Sequence, residues 1–234
     1  MSDGELPAAV RSGDEEAVRV LLHAGAAPDA LMEDGLPVLC AAVAAYNLDI
    51  ARALIDGGAD PDLVLPDGTT PLIRAVEGGS PAMVLAVLGR DPRLRLPGAV
   101  RERLLDLARR RHECGAEPGL RLRAGLSGPA RAEVVEDEYD SVTELTLGHH
   151  KVRAGHLAIL TCLEWAFRIL TPVDELVARA VSHGDRDHVV WTAARGVLGE
   201  RRGPQTWSAV TAYRRHADPL HRRFVVDVLR SYAY

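Results

Sequence analysis

His183, Asp185, Asp187 and His188 fall within six residues of one another. Two imidazoles and two carboxylates form a donor set that suits a divalent ion. Their spacing follows no ligand pattern, however, and Asp187 stands where a helix cap is expected. His149-His150 and the pair His112 and Cys114 each offer two donors, whereas zinc takes three or four. No metal is therefore expected. Cys40, Cys114 and Cys162 are the candidate nucleophiles, but a thiol attacks only when a base activates it in a cleft. Cys40 and Cys162 occupy core-facing positions of the repeats described below, where free cysteine acts as a small hydrophobe. No nucleophile elbow, phosphate-cradling glycine loop or dinucleotide fingerprint is present. The chain is expected to be non-enzymatic and to need no cofactor. Phosphate contact is a further chemistry. Arg186, Arg195, Arg201, Arg202, Arg214, Arg215, Arg222, Arg223 and Arg230 set 9 arginines against 4 acids in residues 186–234. Along one face they would make a basic groove for nucleic acid. Arg101, Arg103 and Arg109–Arg111 raise the same question, against the simpler reading of a solvated face.

The elements that must position these side chains follow from composition. Of 234 residues 47% are hydrophobic but only 4% aromatic, so the core is built of Ala, Leu and Val. That suits closely packed helices better than a sandwich of sheets. Residues 1–98 carry 15 acids and 7 bases, and the remainder 18 acids and 21 bases, so the two ends should present opposite fields. Three widely separated cysteines make no disulfide framework. Met1–Ala9 is acidic and lacks a long apolar stretch, so no secretory signal is expected. No run of about 20 apolar residues suggests a membrane span, and the cytoplasm is the expected compartment.

Internal repetition is the strongest signal. Gly25-Ala26-Ala27-Pro28-Asp29 aligns with Gly58-Ala59-Asp60-Pro61-Asp62 at an offset of 33, and Asp34-Gly35 aligns with Asp67-Gly68. Leu39, Ala42 and Val43 align with Leu72, Ala75 and Val76; Leu6, Ala9 and Val10 share the register backwards, and Leu105 and Ala108 forwards. Thr70-Pro71 and Ser80-Pro81 read as a cap followed by proline at the first helical position, where its missing N–H costs nothing. Asn47 caps a helix through Ile50 and Leu54, and Gly57-Gly58 ends it.

The order of turn, Asp67-Gly68-Thr69-Thr70-Pro71-Leu72, helix, glycine, helix and Gly58-Ala59-Asp60 resembles the ankyrin-repeat family. It departs from the family at Ile73, where histidine is usual, and Pro37-Val38-Leu39-Cys40 replaces the Thr-Pro-Leu-His of the preceding unit. The expected array is a capping unit at 5–30, full units at 31–63 and 64–96, and a degenerate fourth at 97–114. A second self-similarity has a period of 31: His156-Leu157, Asp187-His188 and Asp218-Pro219 open equivalent helices, with second helices at Pro172–Ser182 and Pro204–His216. This spacing resembles a short HEAT-type array. Between the arrays, Glu133–Asp140 is acidic, and Val142–Leu147, Gly148-His149 and His150–Arg153 suggest a β-hairpin.

The expected fold is an all-α helical-repeat solenoid. It comprises an ankyrin domain at 1–114, a connector with a small hairpin at 115–155, and a HEAT-like domain at 156–234. The ankyrin resemblance implies an adaptor or scaffold that grips a protein partner through turn tips and inner helices. Those positions are Glu33, Asp34 and Leu36 in one unit, and Leu65, Pro66, Asp67 and Thr69 in the next. On the inner helices they are Cys40, Ala41, Ala44, Ala45, Ile73, Arg74 and Glu77, with Tyr46 at a helix end. Leu36 and Leu65 are apolar at expected exposed tips, where such residues mark binding surfaces unless they pack on adjacent turns. Two alternatives stand beside this. The HEAT resemblance allows a nucleic-acid module using Arg201, Arg202, Arg214, Arg215, Arg222 and Arg223. Both resemblances also allow a bacterial immunity or antitoxin protein.

Overall fold

The computed structural model describes residues 4–201 and 203–231. The chain divides into two compact units, residues 1–92 and 93–234.

In the first unit the capping devices act where the sequence places them. Asn47 Oδ1, Thr70 Oγ1 and Ser80 Oγ accept from the backbone N–H of Ile50, Ile73 and Met83 at 3.1, 3.2 and 3.1 Å. They start α4 (Leu48–Asp56), α5 (Pro71–Gly78) and α6 (Pro81–Leu88); α1 (Glu5–Ser12), α2 (Glu15–His23) and α3 (Val38–Ala44) precede them. α1, α3 and α5 pack side by side as one layer, and α2, α4 and α6 as the other. The 33-residue register is the core: Leu6, Ala9, Val10, Leu39, Ala42, Val43, Leu72, Ala75 and Val76 are all buried. The alanines let neighbouring helices approach closely, because a methyl group is all that stands between the backbones.

A short helix, α7 (Pro92–Arg95), lies at the boundary between the units. The expected fourth ankyrin unit is absent. Residues 97–114 instead form one helix, α8 (Gly98–Cys114), which packs on α10 (His156–Ala166) in the second unit. No glycine or proline interrupts 99–114, so the segment cannot turn back as a helix pair. The expected boundary at 114 thus moves to 92.

The connector is likewise not a separate domain. Residues 116–124 form α9, in whose first turn Pro118 is tolerated because that N–H has no intrahelical partner. α9 packs on a three-stranded antiparallel meander, β1 (Arg131–Asp137), β2 (Asp140–Leu147) and β3 (His150–Arg153). Leu120, Leu147 and Val152 are buried together there, and Val142 joins Leu157, Val189 and Val190. The hairpin at 140–153 is as expected, with Leu147 paired to His150 across Gly148-His149. β1 is an addition. Its Glu133 and Glu136 face water, but Asp137 is buried and its Oδ1 accepts from Arg153 Nη1 at 2.5 Å; on β2, buried Glu144 meets Lys151 Nζ at 2.7 Å.

Four further helices follow α10: α11 (Val173–Val181), α12 (Val189–Glu200), α13 (Pro204–Ala212) and α14 (Pro219–Ser231). Helices one period apart are neighbours, α10 with α12, α12 with α14, and α11 with α13. Trp191, Phe224, Leu176, Leu198 and Val210 form their core. Among the described residues no helix is long and apolar enough to cross a membrane.

Candidate partner-binding face of the ankyrin-like unit

The two inter-repeat tips are built alike, by short-range hydrogen bonds. In the first, Met32 N–H donates to Leu36 O at 2.7 Å, Gly35 N–H to Met32 O at 2.9 Å, and Leu36 N–H to Asp34 Oδ1 at 3.0 Å. One period later, Leu65 N–H donates to Thr69 O at 2.9 Å, Gly68 N–H to Leu65 O at 2.9 Å, and Thr69 N–H to Asp67 Oδ1 at 2.9 Å. Gly35 and Gly68 sit at φ 78° and 73°, which only glycine adopts without strain.

The tip acids are therefore working parts of the turns. The Asp67 carboxyl is held below its ordinary range by hydrogen bonds from the Thr69 hydroxyl and backbone, and then by Arg74. Arg74 Nη2 lies 2.9 Å from Asp67 Oδ2 and its Nε donates to Thr69 Oγ1 at 3.1 Å. Glu33 is paired with Arg11 at 2.9 Å yet keeps 87% of its side chain exposed. Charge reversal at Asp34 or Asp67 would disturb the turn as well as the field, so Glu33 is the cleaner probe of charge.

The structure rearranges the apolar tip residues. Leu65, expected exposed, is buried at 4% because the turn that starts there points its side chain inward. Leu36 is half-buried. The most exposed apolar residues there are Leu31 at 59% and Val64 at 73%, one period apart, beside Glu33 and Asp34 in one tip and Pro66 and Asp67 in the other. Val64 takes the exposed place expected of Leu65, the next residue, whereas Leu31 stands five residues before Leu36. On the inner helices Ala44 and Ala45 are exposed and Ala41, Arg74 and Glu77 half-buried, whereas Cys40 and Ile73 are buried and offer nothing to a partner. Burial pushes the Cys40 thiol up to about 11. Tyr46 is structural: its hydroxyl donates to Gly78 O of the next repeat at 2.6 Å, from a backbone at φ 54°.

In the second unit the arginines do not form one stripe. Arg201 Nη1 donates to Thr171 O at 2.5 Å and its guanidinium lies over Trp165. Arg222 Nη1 is bound to the His216 and Ala217 carbonyls at 2.6 and 2.7 Å. Arg214, Arg215 and Arg223 are exposed, on two different elements, and Arg202 lies outside the described residues. Arg186, Arg195 and Arg230 do converge, joined by Arg168, which sequence reasoning missed.

The histidine cluster is likewise rearranged. His188, rather than Asp187, caps α12: its Nδ1 accepts from Val190 N–H at 3.3 Å. His183 stacks on it at 4.2 Å. Among the described residues no group of three or more metal-ligating side chains comes together. Burial, and then His183, hold the His188 imidazole down at about 4, with Asp185 opposing. Since the folded value lies below that of the unfolded chain, folded protein carries fewer protons between the two. Stability is fully present above about pH 6.5 and falls as pH drops toward 4. Melting temperatures of the wild type are therefore expected to fall between pH 7 and pH 5. In His188→Asn, which keeps a capping acceptor but does not titrate, the decline should be shallower; equal slopes would refute the role of His188.

No curated protein matches the chain. One similar solved structure is the crystal structure of EF0377, an ankyrin repeat protein, at 14% identity over 100% of this chain and 98% of that one, with a TM-score of 0.40. The family model for ankyrin repeats matches residues 6–95 in 3 copies. That interval holds the three helix pairs and both Asp-Gly tips, and the N-terminal unit of this chain is an array of ankyrin repeats.

Proposed function

We propose that the ankyrin unit is a non-catalytic, cytoplasmic recognition module, which grips a protein partner through its two tips and the exposed face of α3 and α5. The observation that carries this reading is the pair Leu31 and Val64, exposed at 59% and 73% in equivalent positions one repeat apart. The tips stand without them, since the turn hydrogen bonds are made by neighbours. Exposed apolar side chains repeated at the period of the array suit a partner surface that spans two tips. Ankyrin arrays in general recognise proteins, and the tip acids Glu33, Asp34 and Asp67 favour a partner with a basic rim. We further read α10 to α14 as a HEAT-like array, from the lateral packing of helices one period apart.

The test begins with capture of partners by the tagged full chain, followed by affinity measurement with the purified partner. Leu31→Glu combined with Val64→Glu is expected to weaken binding about 100-fold, as loss of central apolar anchors does. Glu33→Lys is expected to cost about tenfold or less, and mainly in association rate. Undiminished binding by the double variant would overturn the proposal.

A further inference from the structure

The second unit contains a cleft of about 750 Å³ between the end of α10 and the facing sides of α12 and α14. Arg168, Arg186, Arg195 and Arg230 line it, with Trp165 as an apolar wall. Two carboxylates share the lining and both are engaged. Glu200 Oε2 accepts from Trp165 Nε1 at 2.5 Å, and Asp227 Oδ2 from Trp191 Nε1 at 3.2 Å, with Arg186 at 3.8 Å from its other oxygen. Four guanidiniums against two carboxylates leave a positive excess in a concave site, where low-dielectric walls focus the field. Among the described residues Arg195 and Arg230 form no ion pair.

Arg168 and Gly196 both depart from local backbone preference around this one cleft. Arg168 sits at φ 63°, at the end of α10, in the left-handed conformation where glycine is usual. Gly196 lies inside α12, where glycine weakens a helix, and a Cβ built there would meet nothing within 4 Å. Packing thus gives no reason for the glycine, and a helix-cap arginine is not the residue that fold stability favours. Both choices serve the cleft: one brings a cation to its mouth, the other leaves its floor open. Such departures from local preference mark functional sites.

We propose that the cleft binds a phosphate monoester of nucleotide size, either a free ribonucleotide or the 5′-phosphorylated end of an RNA strand. A phosphate concentrates its charge on one tetrahedral group, which more than one planar guanidinium fork can grip at once. The volume lies within the range of small-molecule sites. Glu200, engaged by Trp165 through Oε2, is an acceptor on the same lining, and suits a ligand that carries N–H or O–H donors beside its phosphate. An extended acidic peptide would bring carboxylates against Glu200 and Asp227 and fits less well.

Calorimetric titration of the full chain with AMP, with a 5′-phosphorylated octaribonucleotide, with its 5′-hydroxyl form and with a heptaglutamate peptide tests this. At low salt AMP or the phosphorylated strand is expected to bind, and the affinity to fall as salt rises. AMP binding identifies a free nucleotide, and binding of the phosphorylated strand alone identifies a strand end. Arg195→Gln with Arg230→Gln should weaken binding at least tenfold. Gly196→Leu should abolish it while the melting temperature holds or rises, which separates a blocked cleft from a misfolded chain. No binding by AMP or the phosphorylated strand, equal binding by the 5′-hydroxyl strand, unchanged affinity in the variants, or tighter binding of heptaglutamate would each overturn the proposal.

Discussion

Replacing Arg179 with methionine is expected to destabilise the C-terminal unit by about 3–5 kcal/mol, the cost of stranding a buried charge. Arg179 and Glu164 are exposed at only 9% and 8%. Arg179 Nη1 donates to Glu164 Oε2 at 2.7 Å and to Thr161 Oγ1 at 2.9 Å, while Nη2 reaches Glu164 Oε1 at 3.2 Å and Glu175 Oε1 at 2.5 Å. Thr171 Oγ1 donates to Glu164 Oε2 at 2.7 Å. Burial works against the guanidinium charge, but the Glu164 and Glu175 carboxylates outweigh it and raise the Arg179 pKa overall. Methionine fills the space of the side-chain stem but leaves the Glu164 carboxylate in an apolar setting with only Thr171 beside it. Adding Glu164→Leu removes that orphan, so the double variant is expected to lose less than Arg179→Met alone. All three tryptophans, Trp165, Trp191 and Trp207, lie in this unit. Urea unfolding followed by tryptophan fluorescence therefore reports its midpoint selectively. A loss below about 1 kcal/mol in the single variant would show that solvent reaches Glu164 and that the network is not structural.

The ankyrin array was legible in the sequence because every device that builds it is local. Caps at Asn47, Thr70 and Ser80 act on N–H groups three residues away, and Asp34 and Asp67 on groups two residues away. The apolar residue of the second tip is displaced by one position for a physical reason. The turn hydrogen bonds start at Met32 and Leu65, and this decides that Val64 faces outward and Leu65 inward. The hydrophobic pattern Leu63-Val64-Leu65 has no period of two to reveal it. β1 escaped because Glu133-Val134-Val135-Glu136-Asp137 also fails to alternate, and as an edge strand it is mostly exposed. Its place is fixed by pairing with β2 and by the Asp137–Arg153 contact, which links residues 16 apart. The cleft was the least legible feature. Its arginines come from the end of α10, the segment before α12, α12 itself and α14, and only the fold brings Arg168 to Arg230. The arginine count in 186–234 pointed to the region, but not to which of them converge. Of those nine, Arg201 and Arg222 hold backbone carbonyls, and Arg214, Arg215 and Arg223 lie apart from the cleft.

The wall behind that cleft supplies the second large effect. Trp191 is fully buried, packs edge-on against Phe224 at 5.0 Å and 88°, and donates to buried Asp227 at 3.2 Å. Trp191→Ala is expected to cost about 3–5 kcal/mol, because the cavity between α12 and α14 cannot collapse around Phe224. Trp191→Phe separates packing from the hydrogen bond. It keeps a ring against Phe224 but leaves Asp227, 6% exposed, with Arg186 at 3.8 Å as its remaining partner. That variant is expected to lose about 1–3 kcal/mol, the cost of an unsatisfied buried acceptor. Trp165 and Trp207 still report the transition in both. Adding Asp227→Leu to Trp191→Phe should recover part of the loss, since the orphaned carboxylate is removed with its donor. A Trp191→Phe variant as stable as wild type would mean that Arg186 alone satisfies Asp227. Asp227 would then neutralise part of the cleft's positive charge rather than anchor its wall, and the salt dependence of ligand binding would weaken accordingly.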